Sequence, residues 1–501
     1  MQASDRLAVL ITLCLGASLG AGTPLWGQAD DDLVVGPPTG PWRRLFLDDA
    51  HIVAQQGLRR VFHPAQKHPN NPVIRPTEPW EGGRPYVHGT VLCDQGRLRM
   101  WYLMNADCPR CRYRNGYAES TDGLVWEKPK LGLCDYQGSK ENNLVLTDKE
   151  VVALALNLNV IKRPWIGDPG GRYIAFFNSL ATKPLTPRFA LSEDGIHWTV
   201  SPAVVNGLRS GDELRVCYDP YRWRYVATCK CVKERRGRAV SLATSLDGVQ
   251  WQGIEAGQPL VYSLETGNQA NQIYEMPLFA YQGLYLGLPD IYHAAWPDHD
   301  RVSDEEMVAA EEGSPTTSEV EIAWSRDLAH WLRPPGAGTC PFIPLGPQGA
   351  FDCGLVMGAA NTPVVMGDEL WFYYGGWDGP HRILTQRAAI GLATLRLDGF
   401  ASMQADAQEG WLVTPVETFS EPRVTINAQV APGGQIVAEL LDQNGQPVAG
   451  FDRQNCEPFQ GDSVRQVLKW KEAGKGHLPP GGRMRIRFLL RNAELYSYLP
   501  G

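Results

Sequence analysis

Tyr117-AESTDGLVW-Glu127 is one of five related stretches, and its recurrence decides the fold. The others are Phe189-ALSEDGIHW-Thr199, Leu242-ATSLDGVQW-Gln252, Ile322-AWSRDLAHW-Leu332 and the degenerate Gly391-LATLRLDGF-Ala401. Four keep the order Ser, any residue, Asp, then Trp: Ser120/Asp122/Trp126, Ser192/Asp194/Trp198, Ser245/Asp247/Trp251 and Ser325/Asp327/Trp331. The fifth keeps Asp398-Gly399 and puts Phe400 where the others have Trp. Asp-Gly pairs a residue that bonds its own backbone with one that accepts positive φ, which is hairpin chemistry. The Trp gives a large plate to pack between neighbouring sheets, in preference to serving as a ligand platform.

An aromatic, alternating strand precedes each motif: Arg97-LRMWY-Leu103, Arg172-YIAFF-Asn178, Arg222-WRYVAT-Cys229, Gly283-LYLGL-Pro289 and Glu369-LWFYY-Gly375. Upstream of each lies a further apolar strand: His88-GTVLC-Asp94, Lys162-RPWIG-Asp168, Glu213-LRVCY-Asp219, Glu275-MPLFA-Tyr281 and Asn361-TPVVM-Gly367. The unit is four antiparallel strands, and five units predict an all-β, five-bladed β-propeller. Beyond the last unit, Val424-TINAQ, Ile436-VAELL, Val464-RQVLKW and Met484-RIRFLL alternate in the same way, with a hairpin turn at Asp442-Gln-Asn-Gly445. They predict a C-terminal β-sandwich. The expected organisation is a signal peptide over 1–29, the propeller with an N-terminal extension over 30–405, and the sandwich over 406–501. The extension is expected to pack on the propeller or complete a blade. One short helix is expected over 304–312.

Composition fits this reading. The 501 residues hold 52 Gly and 38 Pro, suited to many tight turns, and a net charge of -8 with no basic block argues against nucleic acid. Arg6 followed by apolar Leu7 to Leu19 reads as an export signal, with an uncleaved anchor as the alternative. No later apolar run is long enough to span a bilayer, so the mature protein is expected to lack a transmembrane segment and to be secreted or periplasmic. Of 11 Cys, loss of Cys14 leaves ten, an even number compatible with disulfides. Cys108-Pro-Arg-Cys111 has redox spacing without the βαβ context, so a local disulfide or two free thiols is expected there.

Strand direction separates scaffold from site. Inner-strand starts and the loops between the second and third strands share one face, and the Asp-Gly turns lie on the other. The site face is predicted to carry Tyr86, His88, Arg163, Asp212, Glu213, Tyr274, Glu275, Asn178, Asp290, His293, Asp352, Trp377, Asp378 and His381. Carboxylates to bond hydroxyls and rings to cover apolar faces suit a saccharide. The acidic loop 294–320 is the longest insertion on that face, either a lid or a solvated loop.

On the Ser-x-Asp-Gly-x-x-Trp motif and its fivefold count, residues 60 to 405 resemble the five-bladed propeller glycoside hydrolases, the arabinanase/β-xylosidase and invertase/levansucrase groups. The resemblance implies a glycosidase using paired carboxylates in a central funnel. The sequence indicates no cofactor and no metal ligands, and a structural Ca²⁺ is left open. Tyr274-Glu275-Met276-Pro277 is similar to the family's Glu-x-Pro element, which implies Glu275 as general acid. Asp212 or Glu213 then serves as base or nucleophile, and Asp352 as a tuning carboxylate. The chain departs from the family where Tyr86-Val87-His88 and Arg163-Pro164 replace Asp-Pro elements. A non-catalytic carbohydrate-binding propeller and a structural or envelope interaction module therefore remain as alternatives. Sialidases differ in motif spacing, blade number and their arginine triad.

Overall fold

The computed structural model describes residues 39–105, 113–146, 155–164, 171–179, 185–209, 211–233, 237–262, 271–293, 316–338, 340–381, 386–471 and 482–501. The expected signal segment, the Cys108/Cys111 pair, the helix over 304–312 and most of the acidic loop lie outside these residues. The loop's described end, Thr317–Val320, is a strand. Eight cysteines fall among the described residues, and all eight are free thiols. No helix among the described residues is long and apolar enough to cross a membrane.

The described residues are nearly all strand or turn, and besides a C-terminal sheet they form five mainly antiparallel units, the last two joined where Thr317–Val320 runs parallel to Leu355–Met357. Blade one holds Pro85–Asp94, Arg97–Asn105 and Tyr113–Ser120, with Glu127 bridged to Glu119 at its outer edge. Blade two holds Ala155–Lys162, Tyr173–Ser179, Thr186–Ser192 and Thr199–Val200. Blade three holds Leu214–Asp219, Arg224–Val232, Arg238–Ser245 and Gln252–Gly253. In blade four each main strand is broken in two. Asn271–Ile273, Asp290–His293 and Thr317–Val320 pair at one end, and Leu278–Tyr281, Leu284–Gly287 and Ala323–Ser325 at the other. Blade five holds Leu355–Met357 with Val364–Met366, then Glu369–Trp377 and Ala388–Arg396. Its outer strand is Gln66–Lys67, so the N-terminal extension does complete a blade.

Polar bonds between neighbouring blades close the ring. Thr90 Oγ1 accepts from Val160 N–H (2.9 Å), Asn159 Oδ1 from Val216 N–H (3.2 Å), and Met276 O from Thr228 Oγ1 (2.7 Å). Asp290 Oδ2 accepts from Gly358 N–H (2.9 Å), and Gly89 O from Asn361 N–H (3.2 Å), which returns to blade one.

The repeated turn works as its residues dictate. Ser192 Oγ accepts from Gly195 N–H, Asp194 Oδ1 from Ile196 and His197 N–H, and Trp198 Nε1–H donates to Gly195 O. The same bonds recur at Ser120, Ser245 and Ser325, where Leu328 at φ 72° takes the glycine's place. Neighbouring blades dock on these turns. Trp101 Nε1–H donates to Gly195 O (2.7 Å) and the Tyr373 hydroxyl to Gly123 O (2.9 Å). The Trp126 ring meets Tyr373 edge-on at 5.5 Å, and Trp251 meets Phe176 at 5.7 Å. These rings are packing plates between blades, as expected.

The C-terminal part is one nine-stranded sheet around one core that includes Phe46, Met403, Ile426, Ala438, Trp470, Phe488 and Tyr498. Its long strands Val424–Leu441 and Arg483–Pro500 pair with each other and shift register at two bulges. Arg44–Leu45, Ala54–Gln56, Arg59–Phe62 and Ala401–Ala405 belong to this sheet, so sheet membership changes at Ala401. The degenerate fifth motif marks the junction: Asp398 accepts from Tyr281, Arg43 and Ser497 instead of capping a blade turn.

Candidate functional site

The inner strands lose their regularity at one level. The pairing of blade one skips between Tyr86 and Thr90, that of blade two between Leu156 and Asn159, and blade four breaks between Ile273 and Leu278. Blade five breaks between Met357 and Val364. Such interruptions leave residues unpaired and re-aim their side chains. Here they send His88, Asn157, Glu275 and Asn361 towards the axis, where Glu213 joins them from just before the blade-three strand. Asn157 holds φ 62°, a left-handed conformation that Asn tolerates.

His88, Glu213, Glu275, Asp290 and Arg215 form one buried cluster. None exceeds 5% exposure. His88 Nε2 lies 2.8 Å from Glu275 Oε2 and 3.0 Å from Glu213 Oε2. Arg215 grips Glu275 with two bonds, Nε to Oε2 (2.7 Å) and Nη2 to Oε1 (3.2 Å), and also donates to Ala359 O (2.9 Å). Asn157 Nδ2 donates to Glu213 Oε2 (2.7 Å). On the same axis Asn361 Nδ2 donates to Asn159 Oδ1 and Val216 O, while Asn361 Oδ1 accepts from Arg215. These amides fill the axis where the inner strands present unpaired backbone groups.

The electrostatics divide the carboxyl groups. Burial alone would raise Glu275, but Arg215 and His88 outweigh it and hold the carboxyl well below the usual range. Burial and the charge of Glu275, with a hydrogen bond to it, push Asp290 well above its ordinary value. Burial lowers His88, and Glu275 and Glu213 outweigh that to raise it to about 9. The surroundings therefore favour the cationic form of the imidazole, the ionised form of Glu275 and the protonated form of Asp290. Opposed shifts in adjacent groups are what acid–base chemistry requires. The sequence motif implies Glu275 as proton donor; in this setting Arg215 and His88 favour its carboxylate form, and burial beside Glu275 favours the protonated form of Asp290.

A layer of rings covers the cluster. Tyr86 and Trp377 lie 4.7 Å apart, Tyr274 and Tyr292 5.3 Å, and His381 sits 5.4 Å and 5.2 Å from those two tyrosines. Lys230 lies over Tyr274 at 4.1 Å, and Arg238 over Tyr292 at 4.6 Å.

Of the residues expected at the site, the structure brings together His88, Glu213, Glu275 and Asp290, beneath Tyr86, Tyr274, Trp377 and His381. Asp212 instead pairs with Lys230 on a half-exposed side chain, where burial raises its carboxyl and Lys230 lowers it to a net fall. Asp352 accepts from Lys67 Nζ (2.5 Å) and the Tyr374 hydroxyl (2.8 Å), fastening the N-terminal strand to blade five. Arg163 stands at the far end of its strand and donates to Gly171 O. The inner strand of blade two is Ala155–Lys162, so placing it at Lys162 to Asp168 inverted that end. Asn178 donates to Gly211 O, His293 faces Asn271 Oδ1 (2.7 Å), and Asp378 accepts from Arg387 N–H. Arg215, Asn157 and Asn159 were not expected; Asn361 opens the fifth inner strand but was not named as a site residue. The available signal was a lone Arg inside apolar Leu214-Arg215-Val216.

No family model matches the chain, and no curated protein does. Among solved structures, a glycosyl hydrolase from Bacteroides ovatus is similar at 15% identity and TM-score 0.45, covering 67% of this chain and 94% of that one. The GH32 β-fructofuranosidase of Bombyx mori is similar at 12% identity and TM-score 0.37, covering 93% of this chain and 96% of that one. Likeness this distant leaves the chemistry to be argued from the site itself.

Proposed function

We propose that the protein is an exported glycoside hydrolase whose acid–base work falls to the axial carboxyl groups. The observation that carries this reading is the unequal setting of the carboxyl groups: Glu275 is held by Arg215 and His88, which favours its ionised form, Asp290 is buried beside it, which favours its protonated form, and Glu213 lies across His88. Glycoside hydrolysis needs one carboxylic acid to protonate the leaving oxygen and one carboxylate to act as base or nucleophile. Asp290 takes the first role, and Glu213 or Glu275 the second. The aromatic layer supplies faces for a sugar ring, and a saccharide reaches the cluster when that layer parts. Asp212 and Asp352, held by Lys230 and Lys67, take no part in proton transfer.

The test is turnover on a panel of aryl glycosides and polysaccharides by the wild type, Asp290→Asn and Glu213→Gln. The expected result is product from the wild type and a loss of kcat on the order of 100-fold or more in both variants. Equal turnover in Asp290→Asn rejects the assigned acid.

Burial of every cluster residue favours a second reading, a carbohydrate-binding propeller in which the network is structural. It predicts calorimetric binding of a glycan with no product on long incubation.

A further inference from the structure

We propose that His88, Glu213 and Glu275 form a binding site for one divalent transition ion of the zinc or manganese class, tying three blades together at the axis. One imidazole nitrogen and two carboxylate oxygens, His88 Nε2, Glu213 Oε2 and Glu275 Oε2, lie within 4.8 Å of one another. The nitrogen is 2.8 Å and 3.0 Å from the two oxygens. Bonds of about 2.0–2.2 Å to such an ion place donors roughly 3–3.5 Å apart, so the two nitrogen–oxygen pairs need to open by only a few tenths of an ångström. The ion would take the position between the three donor atoms now bridged by the imidazole N–H.

The surroundings are those of a supported site. Arg215 Nε donates to the same Glu275 oxygen, and Asn157 Nδ2 to the same Glu213 oxygen, fixing both carboxylates as outer-shell partners do around metals. Asn157 Oδ1 supplies an independent sign of a missing ligand. It is fully buried, its own amide nitrogen touches a ligand oxygen, and it has no hydrogen-bond partner. Buried polar atoms seldom stay unpaired without an ion or ordered water to meet them. Mixed nitrogen and carboxylate donors suit zinc or manganese, whereas calcium gathers about 6–8 oxygens. The inference does not rest on the glycosidase reading, since a tie between blades serves an enzyme and a binding protein alike.

The full-length protein, stripped with a chelator and dialysed, is titrated with Zn²⁺ and separately with Mn²⁺, with Ca²⁺ as control. The expected result is one equivalent of Zn²⁺ or Mn²⁺ by calorimetry and by metal analysis, a higher melting temperature, and no such equivalent in His88→Gln or Glu213→Gln. Co²⁺ reads coordination without relying on the variants' folding: a visible ligand-field band is expected in the wild type. No stoichiometric binding to the wild type, or one equivalent kept by both variants, overturns the site. Turnover plays no part in these readouts, so the glycosidase reading fails or stands separately.

Discussion

The two ends of the blades obey different rules. At the Asp-Gly end, four blades repeat one hydrogen-bond pattern, and the exposed Asp194 and Asp327 carry the same histidine contact. At the axial end the blades follow no common pattern: blade one brings His88, blade two Asn157, blade three Glu213 and Arg215, blade four Glu275 and Asp290, blade five Asn361. The repeated end buries rings and satisfies backbone. The irregular end buries charge, which is costly unless every group is paired. Repetition here builds the scaffold, and the breaks in repetition build the site.

Breaking the irregular end has the largest expected effect. Glu275→Ala strips the buried Arg215 of its carboxylate and leaves His88 with Glu213 alone, and is expected to cost about 3–5 kcal/mol in chemical denaturation. A loss below about 1 kcal/mol would mean that the axis is open to water and the cluster is not the keystone described.

His88 gives this end a pH signature. Its folded pKa is raised to about 9 from 6.5, so its contribution to stability is complete below pH 6.5 and is lost as pH rises through 9. Stability measured from pH 6.5 to 9 is expected to fall in the wild type relative to His88→Gln. Parallel curves would contradict the ion-paired imidazole.

At the repeated end the effects are smaller and alike. Ser120→Ala, Ser192→Ala and Ser245→Ala each remove an acceptor from a buried glycine N–H and are expected to cost about 1–2 kcal/mol apiece. A spread wider than about 2 kcal/mol among them would deny that the turns are equivalent. Smallest of all, Asp122→Asn keeps the Oδ1 acceptor on an exposed turn and is expected to change stability by about 0.5 kcal/mol or less.

The same contrast explains what was legible in the sequence. The motif recurs because each turn has the same backbone to satisfy, so five units could be counted without coordinates. His88, Glu213 and Glu275 were expected on this face as starts of inner strands, and Asp290 as part of a loop between second and third strands; Glu275 was also marked by its Glu-x-Pro element. Blade two misled because Ala155–Lys162 carries two Asn in an apolar alternation, while the Pro164 segment looked more like its counterparts in the other blades. Asp352 misled because a carboxylate ahead of a strand looks the same whether it meets a substrate or Lys67. Asn157 and Asn159 gave no pattern, for they serve unpaired backbone around the axis and share no spacing; Asn361 opens an inner strand but carries no charge to mark it. The roles of Glu275 and Asp290 depend on which of them Arg215 touches, a contact across 60 residues that no local pattern records.

The central claim, that the axial end keeps two neighbouring carboxyl groups in opposite protonation states, is open to infrared spectroscopy. The carbonyl stretch of a protonated carboxyl group is to be recorded at pH 7 for the wild type and for Asp290→Asn. The account predicts a protonated-carboxyl band in the wild type that disappears in Asp290→Asn and survives in Asp212→Asn. A wild type without that band, with Asp290 ionised at pH 7, would contradict it.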